Sequence, residues 1–198
     1  MGAAAVDSAA LSRATLVRAL YPVRAWLRDG TGITIRPIGP EDAQREQAFV
    51  QALSQESRYF RFMSTLKELS AQTLYRFTHP DFEHEVALVA LIETAGAEPV
   101  QIGVARCVVQ DDREAEFAVV VADAWHGKGV GKRLMCELMR AARAAGVTQL
   151  WGAVLATNHR MLALMQTLGF TIAPAPEDAL LRKVVKSLGR EKDPIHAT

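Results

Sequence analysis

An apolar run, Val119-Val120-Val121, passes through Ala122-Asp123-Ala124-Trp125 into His126-Gly127-Lys128-Gly129-Val130-Gly131-Lys132-Arg133-Leu134. No other stretch constrains the chain as strongly. It reads as a strand, a loop with glycine at every second place, and a helix whose first turn carries cations. Glycines let main-chain N–H groups approach a ligand with no Cβ between them. The start of a helix has unpaired N–H donors and the positive end of the macrodipole. Together these make a site for a phosphate or pyrophosphate. Lys128, Lys132 and Arg133 add charge to the same place.

Two familiar phosphate loops do not fit. A Walker loop needs four residues between its first glycine and the Gly-Lys pair, then Ser or Thr. Here three residues separate Gly127 from Gly131-Lys132, and Arg133 follows. A dinucleotide fingerprint needs Gly-x-Gly-x-x-Gly early in a βαβ unit. This loop reads Gly-x-Gly-x-Gly and lies past the middle of the chain.

The 198 residues suit one domain, and a hydrophobic content of 49% supports a sizeable core. Lys and Arg total 23 against 22 for Asp and Glu, with no basic stripe, so a nucleic-acid partner is not expected. No run approaches a membrane span, and Met1–Leu20 lacks the form of a signal peptide. Cys107 and Cys136 stand in apolar contexts and read as buried reduced thiols, which fits a cytoplasmic protein. No two of the five histidines form a metal pair at helical spacing, and no metal is expected.

Residues 1–20 read as a flexible N-terminal arm or a short helix. Val23–Arg28 and Ile33–Ile38 alternate around Asp29-Gly30-Thr31-Gly32 and predict a β-hairpin. Gly39-Pro40-Glu41-Asp42 opens a helix to Leu53. Further helices are predicted from Gln55 to about Lys67, with Tyr59, Phe60, Phe62 and Met63 in the core, and from Ser70 to Thr78. Three strands, Glu85–Thr94, Pro99–Gln110 and Glu114–Ala122, form an antiparallel meander. Helix Val130–Ala145, strand Thr148–Leu155 and helix Asn158–Leu168 follow. Strands Phe170–Ala173 and Ala179–Leu188 close the fold, and 189–198 is a frayed tail. The expected class is α+β, a mixed and mostly antiparallel central sheet flanked by helices, with an extra N-terminal hairpin strand.

This order is that of the GNAT N-acetyltransferase superfamily, and the loop resembles its pyrophosphate motif, Gln/Arg-x-x-Gly-x-Gly/Ala. The matching residues are His126, Gly129 and Gly131, with His126 departing from the usual Gln or Arg. Asn158, eleven residues before Gly169-Phe170, resembles the superfamily's late Asn…Gly-Phe motif. Ile35-Arg36-Pro37-Ile38, Ser57-Arg58-Tyr59-Phe60-Arg61-Phe62, Ala115-Glu116-Phe117-Ala118-Val119 and Met161-Leu162-Ala163-Leu164 resemble the acetyltransferase domain of bacterial protein lysine acetyltransferases. The resemblance runs from Tyr21 to about Leu188. It implies that acetyl-CoA lies in a V-shaped split between strands Glu114–Ala122 and Thr148–Leu155. The pantetheine arm would bond to the main chain of Val119 and Val121. The pyrophosphate would rest on the loop His126, Gly127, Lys128, Gly129, Val130, Gly131 and Lys132, and Asn158 would hold the arm from the other wall.

Acetyl transfer to an amine needs a neutral nitrogen. With a lysine pKa near 10.4, that form lies about 4–5 kcal/mol uphill at pH 7, so a general base helps. Glu116 interrupts an apolar strand face where the resemblance implies a catalytic glutamate. Glu85, at the start of the meander, is a second candidate, with His79 and His84 weaker. Many superfamily members carry a tyrosine acid seven residues after the Asn; here Met165 stands there. The acceptor implied is a protein lysine. A small amine acceptor or a non-catalytic acyl-CoA sensor are the alternatives. The Tyr21–Ile38 hairpin either covers a sheet edge or meets a second copy, which leaves a homodimer open.

Overall fold

The computed structural model describes residues 12–93, 96–111 and 113–189. Most of the expected arm, most of the expected tail and Thr94 of the predicted strand Glu85–Thr94 lie outside the described residues. Within the arm, Arg13–Arg18 forms a short helix (α1) capped by Ser12, and Val17 is buried in the core.

Strands β1 (Val23–Trp26) and β2 (Gly32–Pro37) make the predicted hairpin. After a 3-10 turn at Pro40–Asp42 come α2 (Ala43–Ala52), α3 (Gln55–Phe62) and α4 (Ala71–Thr78). The meander follows as β3 (Glu85–Ile92), β4 (Val100–Asp111) and β5 (Glu114–Val121). Then come α5 (Val130–Ala144), β6 (Gln149–Leu155), α6 (His159–Thr167), β7 (Thr171–Ala175) and β8 (Asp178–Ser187). The eight strands lie in the order β1-β2-β3-β4-β5-β6-β8-β7. All neighbours are antiparallel except β5 and β6.

Period-two alternation sorts the side chains of each strand onto two faces. On one face α5 lays its apolar stripe, including Val130, Leu134, Leu138 and Ala141, over Leu88, Ala105 and Val119. Met165 of α6 completes that layer over β6 and β8 with Leu150, Val154 and Val184. On the other face Phe49, Val50, Leu69 and Phe77 cover Ala87, Val89, Val104 and Val120. The helices of this second layer stop short of β6, β8 and β7. Trp151, Ala153 and Leu155 of β6 are therefore only half-buried there, while Leu150, Gly152 and Val154 are buried beneath the opposite layer.

The predicted helix to Lys67 ends at Phe62, because Met63 takes a left-handed φ of 51°. Of the four residues expected in the core, Phe62 packs half-buried against the Phe77 layer and Phe60 is half-buried, whereas Tyr59 and Met63 are exposed; the buried residue of the helix is Ser57. Polar bonds add to the Phe62 contact in holding α3. Ser54 N–H and Oγ donate to Asp123 at 2.8 and 2.7 Å, and Ser57 Oγ donates to the same carboxylate at 2.7 Å. Burial pushes the Asp123 carboxyl up, but these donors hold it below the usual range. Among the described residues no helix is long and apolar enough to cross a membrane.

Candidate functional site

The parallel seam between β5 and β6 contains three residue pairs: Glu114 with Gln149, Ala115 with Leu150, and Glu116 with Trp151. Beyond Glu116 the strands part. Strand β5 stays on β4 through Val121, opposite Gly103, and β6 stays on β8 through Leu155, opposite Leu181. Below the opening Phe117 leans over β6, where a Cβ at Gly152 would stand 3.0 Å from its ring. A larger residue at 152 would collide with that ring.

Antiparallel ladders alternate, so every second residue turns both its N–H and C=O toward one neighbour. Ala122 N–H donates to Ile102 O at 2.9 Å, which fixes the phase of β5 against β4. Phe117, Val119 and Val121 consequently present their main chain to the split, where a ligand arm can pair with them as an added strand does.

The split leads to the glycine loop. Gly127 and Gly129 take φ of 77° and 98°, a region that favours glycine, and a Cβ on either would meet nothing within 4 Å. Gly129 is the N-cap of α5 and has no side chain to cap it, and no acid lies in the first turn. Gly131 serves a different purpose: a Cβ there would stand 3.3 Å from Leu164 and 3.6 Å from Val121, so its bareness lets α5 seat closely. The ground above the helix start is therefore open, rich in N–H donors and flanked by exposed Lys132 and Arg133. Lys128 lies 4.3 Å over the Trp125 ring and 3.4 Å from Asp29 of the β1–β2 turn. These features fit a phosphate-bearing ligand whose arm runs into the split.

His126 ties the loop back to the strand. Its Nδ1 lies 2.7 Å from Arg160 Nη1, and its Nε2 lies 3.0 Å from Val121 O. A guanidinium only donates, so Nδ1 accepts and Nε2–H donates to the carbonyl. Asn158 is the N-cap of α6, and its Oδ1 accepts from Met161 N–H at 3.1 Å. Its side-chain NH2 remains to donate. Met165 is fully buried, so the position offers no acid to a leaving group.

Glu116 is half-buried on the face covered by α2, α3 and α4, in one row with Val108 and Glu85. Glu85 is two strands from the split, and its carboxylate is engaged by Arg106 Nη1 at 2.5 Å. The structure thus does not bring the second carboxylate to the cleft. Sequence reading missed the charges around this row. Arg106 is buried with its ring-facing guanidinium 3.9 Å over Phe77, and Arg61 lies 4.9 Å over Phe62. Burial, then the like charge of Arg106, brings the Arg61 guanidinium down to about 10, and Glu116 is among the carboxylates that counter this. Deeper in, Gln101 donates to Glu46, whose carboxyl burial pushes above its ordinary value. Arg106 Nε and Gln101 Oε1 have no hydrogen-bond partner among the described residues. The signal available was one arginine inside an apolar run at 102–109. Trp151, beside Glu116 across the seam, was also missed, because its place depends on strand register.

His79 stacks on Tyr75 at 3.9 Å and His84 bonds Asp81 at 2.9 Å, both away from the split. Among the described residues no group of three or more His, Cys, Asp or Glu side chains is gathered as a metal site requires.

A family model for an acetyltransferase (GNAT) domain matches residues 33–171. Acetyltransferase PA5475 of Pseudomonas aeruginosa is 34% identical over 154 residues, covering 77% of this chain and 82% of that protein. Acetyltransferase Pat of Mycolicibacterium smegmatis is 31% identical over 161 residues, which is 80% of this chain and 47% of Pat. Among solved structures, the GNAT domain of S. lividans PAT superposes with a TM-score of 0.78 at 30% identity, covering 85% of this chain and 98% of that domain.

Proposed function

The chain belongs to the GNAT acetyltransferase family and is an acyl-CoA-dependent acetyltransferase, and on that premise we propose that it acetylates lysine side chains of proteins with Glu116 as general base. The observation that carries this reading is the breadth of the split that opens directly after Glu116, beside which Trp151, Ala153 and Leu155 of β6 are only half-buried among the described residues. A lysine presented by another chain needs such breadth, because the flanking backbone of the acceptor must lie beside the site. A closed pocket would suit a small amine instead.

In this reading acetyl-CoA binds as a substrate. The amides from Gly127 to Lys132, with Lys128 itself, hold its pyrophosphate. Lys128 exchanges its Asp29 partner for a phosphate oxygen. The main chain of Val119 and Val121 holds the pantetheine arm, with His126 yielding the Val121 carbonyl or bonding beside it. Asn158 donates its NH2 from the opposite wall. Glu116, directly or through one water, removes the proton that leaves the attacking amine. The Val119 N–H, aimed into the split, stabilises the oxygen charge that develops in the transition state. With Met165 buried, the thiol leaves as thiolate or takes its proton from water; a thiol pKa near 8.5 allows either.

The test is incubation of the purified chain with labelled acetyl-CoA and two acceptor panels, one of folded proteins and one of free amines. Label on protein lysines supports the reading. Label confined to free amines overturns the protein-acceptor part. Tight acetyl-CoA binding with no transfer to either panel overturns the enzymatic part.

A further inference from the structure

On one sheet face Glu116, Trp151 and Val185 stand in one row across β5, β6 and β8, at the edge of the layer made by α2, α3 and α4. One step further along, Ala153 stands between Lys183 and the split. Lys183 is exposed, and its Nζ lies over the Trp151 indole, 5.2 Å from the ring centroid. Among the described residues no carboxylate forms an ion pair with it. The chain thus already holds a lysine against the aromatic side chain that borders Glu116. A cation is drawn to an indole face by its quadrupole, weakly enough at an exposed site to leave again. The four-carbon lysine stem is longer than one inter-strand step of about 4.8 Å. To reach the mouth of the split, Nζ has only to pass over the small Ala153 of β6, the strand between β8 and β5.

We propose that Lys183 is an acceptor for the enzyme's own reaction, acetylated in cis. This rests on the acetyl-transfer reading above. The Lys183 ammonium gives one proton to Glu116. The nitrogen lone pair then forms the C–N bond at the acetyl-CoA carbonyl as the C–S bond breaks. The sulfur departs with that electron pair, and the second nitrogen proton protonates it. The products are acetyl-Lys183 and free CoA thiol, with one proton released from Glu116 to solvent. Acetylation removes the cation from the Trp151 ring and leaves a neutral amide at the mouth of the split.

Lys186 is the internal control. It stands on the same strand opposite Leu150, on the other sheet face, with its Nζ 5.9 Å over Phe170. Uncatalysed acetylation has no reason to prefer Lys183 over exposed Lys67, which lies outside the glycine loop.

The experiment incubates the full chain with acetyl-CoA and follows each lysine by peptide mass spectrometry. A parallel arm measures CoA release with external protein acceptors. Lys183 is expected to be modified roughly tenfold or more faster than Lys186 and Lys67. Its fractional rate is expected to stay constant across a tenfold dilution of the chain. Glu116→Gln is expected to slow it about a hundredfold. Modification of Lys183 at the rate of the control lysines, at an unchanged rate in Glu116→Gln, or at a rate proportional to chain concentration overturns the proposal. If external acceptors turn over while Lys183 stays unmodified, the cis acceptor is wrong and the enzyme assignment stands. If neither arm shows transfer, the acetyl-transfer reading falls and this proposal with it.

Discussion

Glu116 sits where a strand that is apolar on both faces meets an opening, and its carboxylate is the one acidic group that the β5–β6 seam delivers to that point. Glu116→Gln keeps the shape and removes the base. It is expected to lower kcat by about 10²–10⁴ while acetyl-CoA affinity stays within about twofold, measured by thiol release and calorimetry. Near-normal kcat removes Glu116 from the role. Glu85 shows why a carboxylate on the same face is not equivalent. Its bond to buried Arg106 makes it a partner of that cation. Glu85→Gln leaves a buried charge with a weaker partner and is expected to cost about 3 kcal/mol of stability in chemical denaturation, with kcat per folded molecule less affected than in Glu116→Gln. Glu116 was legible because a lone acid inside an apolar strand is visible locally. Trp151, Arg61 and the burial of Arg106 were not, because strand register and helix placement bring Trp151 and Arg61 toward Glu116 across 35 and 55 residues and seat Arg106 against Phe77 across 29.

Among the elements, α3 is fastened at its start by polar bonds. Asp123, two residues past the end of β5, fastens through Ser54 and Ser57 the helix that carries Arg61 beside the site. Asp123→Ala removes three accepted hydrogen bonds and the anchor of the helix start. The expected cost is about 1–2 kcal/mol, and proteolysis should begin within residues 54–66 while the sheet stays intact. Unchanged cleavage kinetics would show that α3 is held by its aromatics instead. The sequence contained the Ser54 cap but no local sign that its partner lies 69 residues away. That omission is why Tyr59 and Met63 were expected in the core: with no polar anchor in view, only burial explained their grouping. The hairpin, the meander and α5 were legible because turn residues and hydrophobic period agree there. The insertion of β8 between β6 and β7 was not, since either strand of a hairpin can pair with its neighbour.

For the molecule as a whole, buried and hydrogen-bonded carboxylates set the response to pH. Burial pushes Asp42 up, but Arg36, bonded at 2.7 Å to each oxygen, and Arg45 hold it below the usual range. Main-chain donors from His84, Glu85 and Glu83 outweigh desolvation at Asp81 and bring it to about 2. Asp123 is lowered likewise. A depressed folded pKa contributes stability that is complete above the unfolded value of about 3.9 and is lost as pH falls through the folded value. Tm is therefore expected to fall between about pH 4 and pH 2, and Asp42→Asn to flatten that fall while lowering Tm at pH 7. Glu46 has the opposite sign. Its folded pKa is raised, so it favours the fold below about pH 4.3 and costs stability above it. Glu46→Gln is expected to raise Tm at pH 7 by a few degrees and to give no gain at pH 4. A Tm independent of pH across this range would contradict both signs.

Three residue pairs join five strands on one side to three on the other. A sheet stitched over so short a length behaves as two leaves bound at the spine, and whatever lies between them becomes a page fastened to both. Deuterium uptake should register this: the amides of Val119, Val121 and Ala153, which face the gap, are expected to exchange quickly in the free enzyme and to slow together when acetyl-CoA is added. The partners of β5 on β4 and of β6 on β8 should hardly change. The substrate that is consumed in each cycle would then also be the strongest tie between the two leaves, so every turnover would momentarily loosen the molecule.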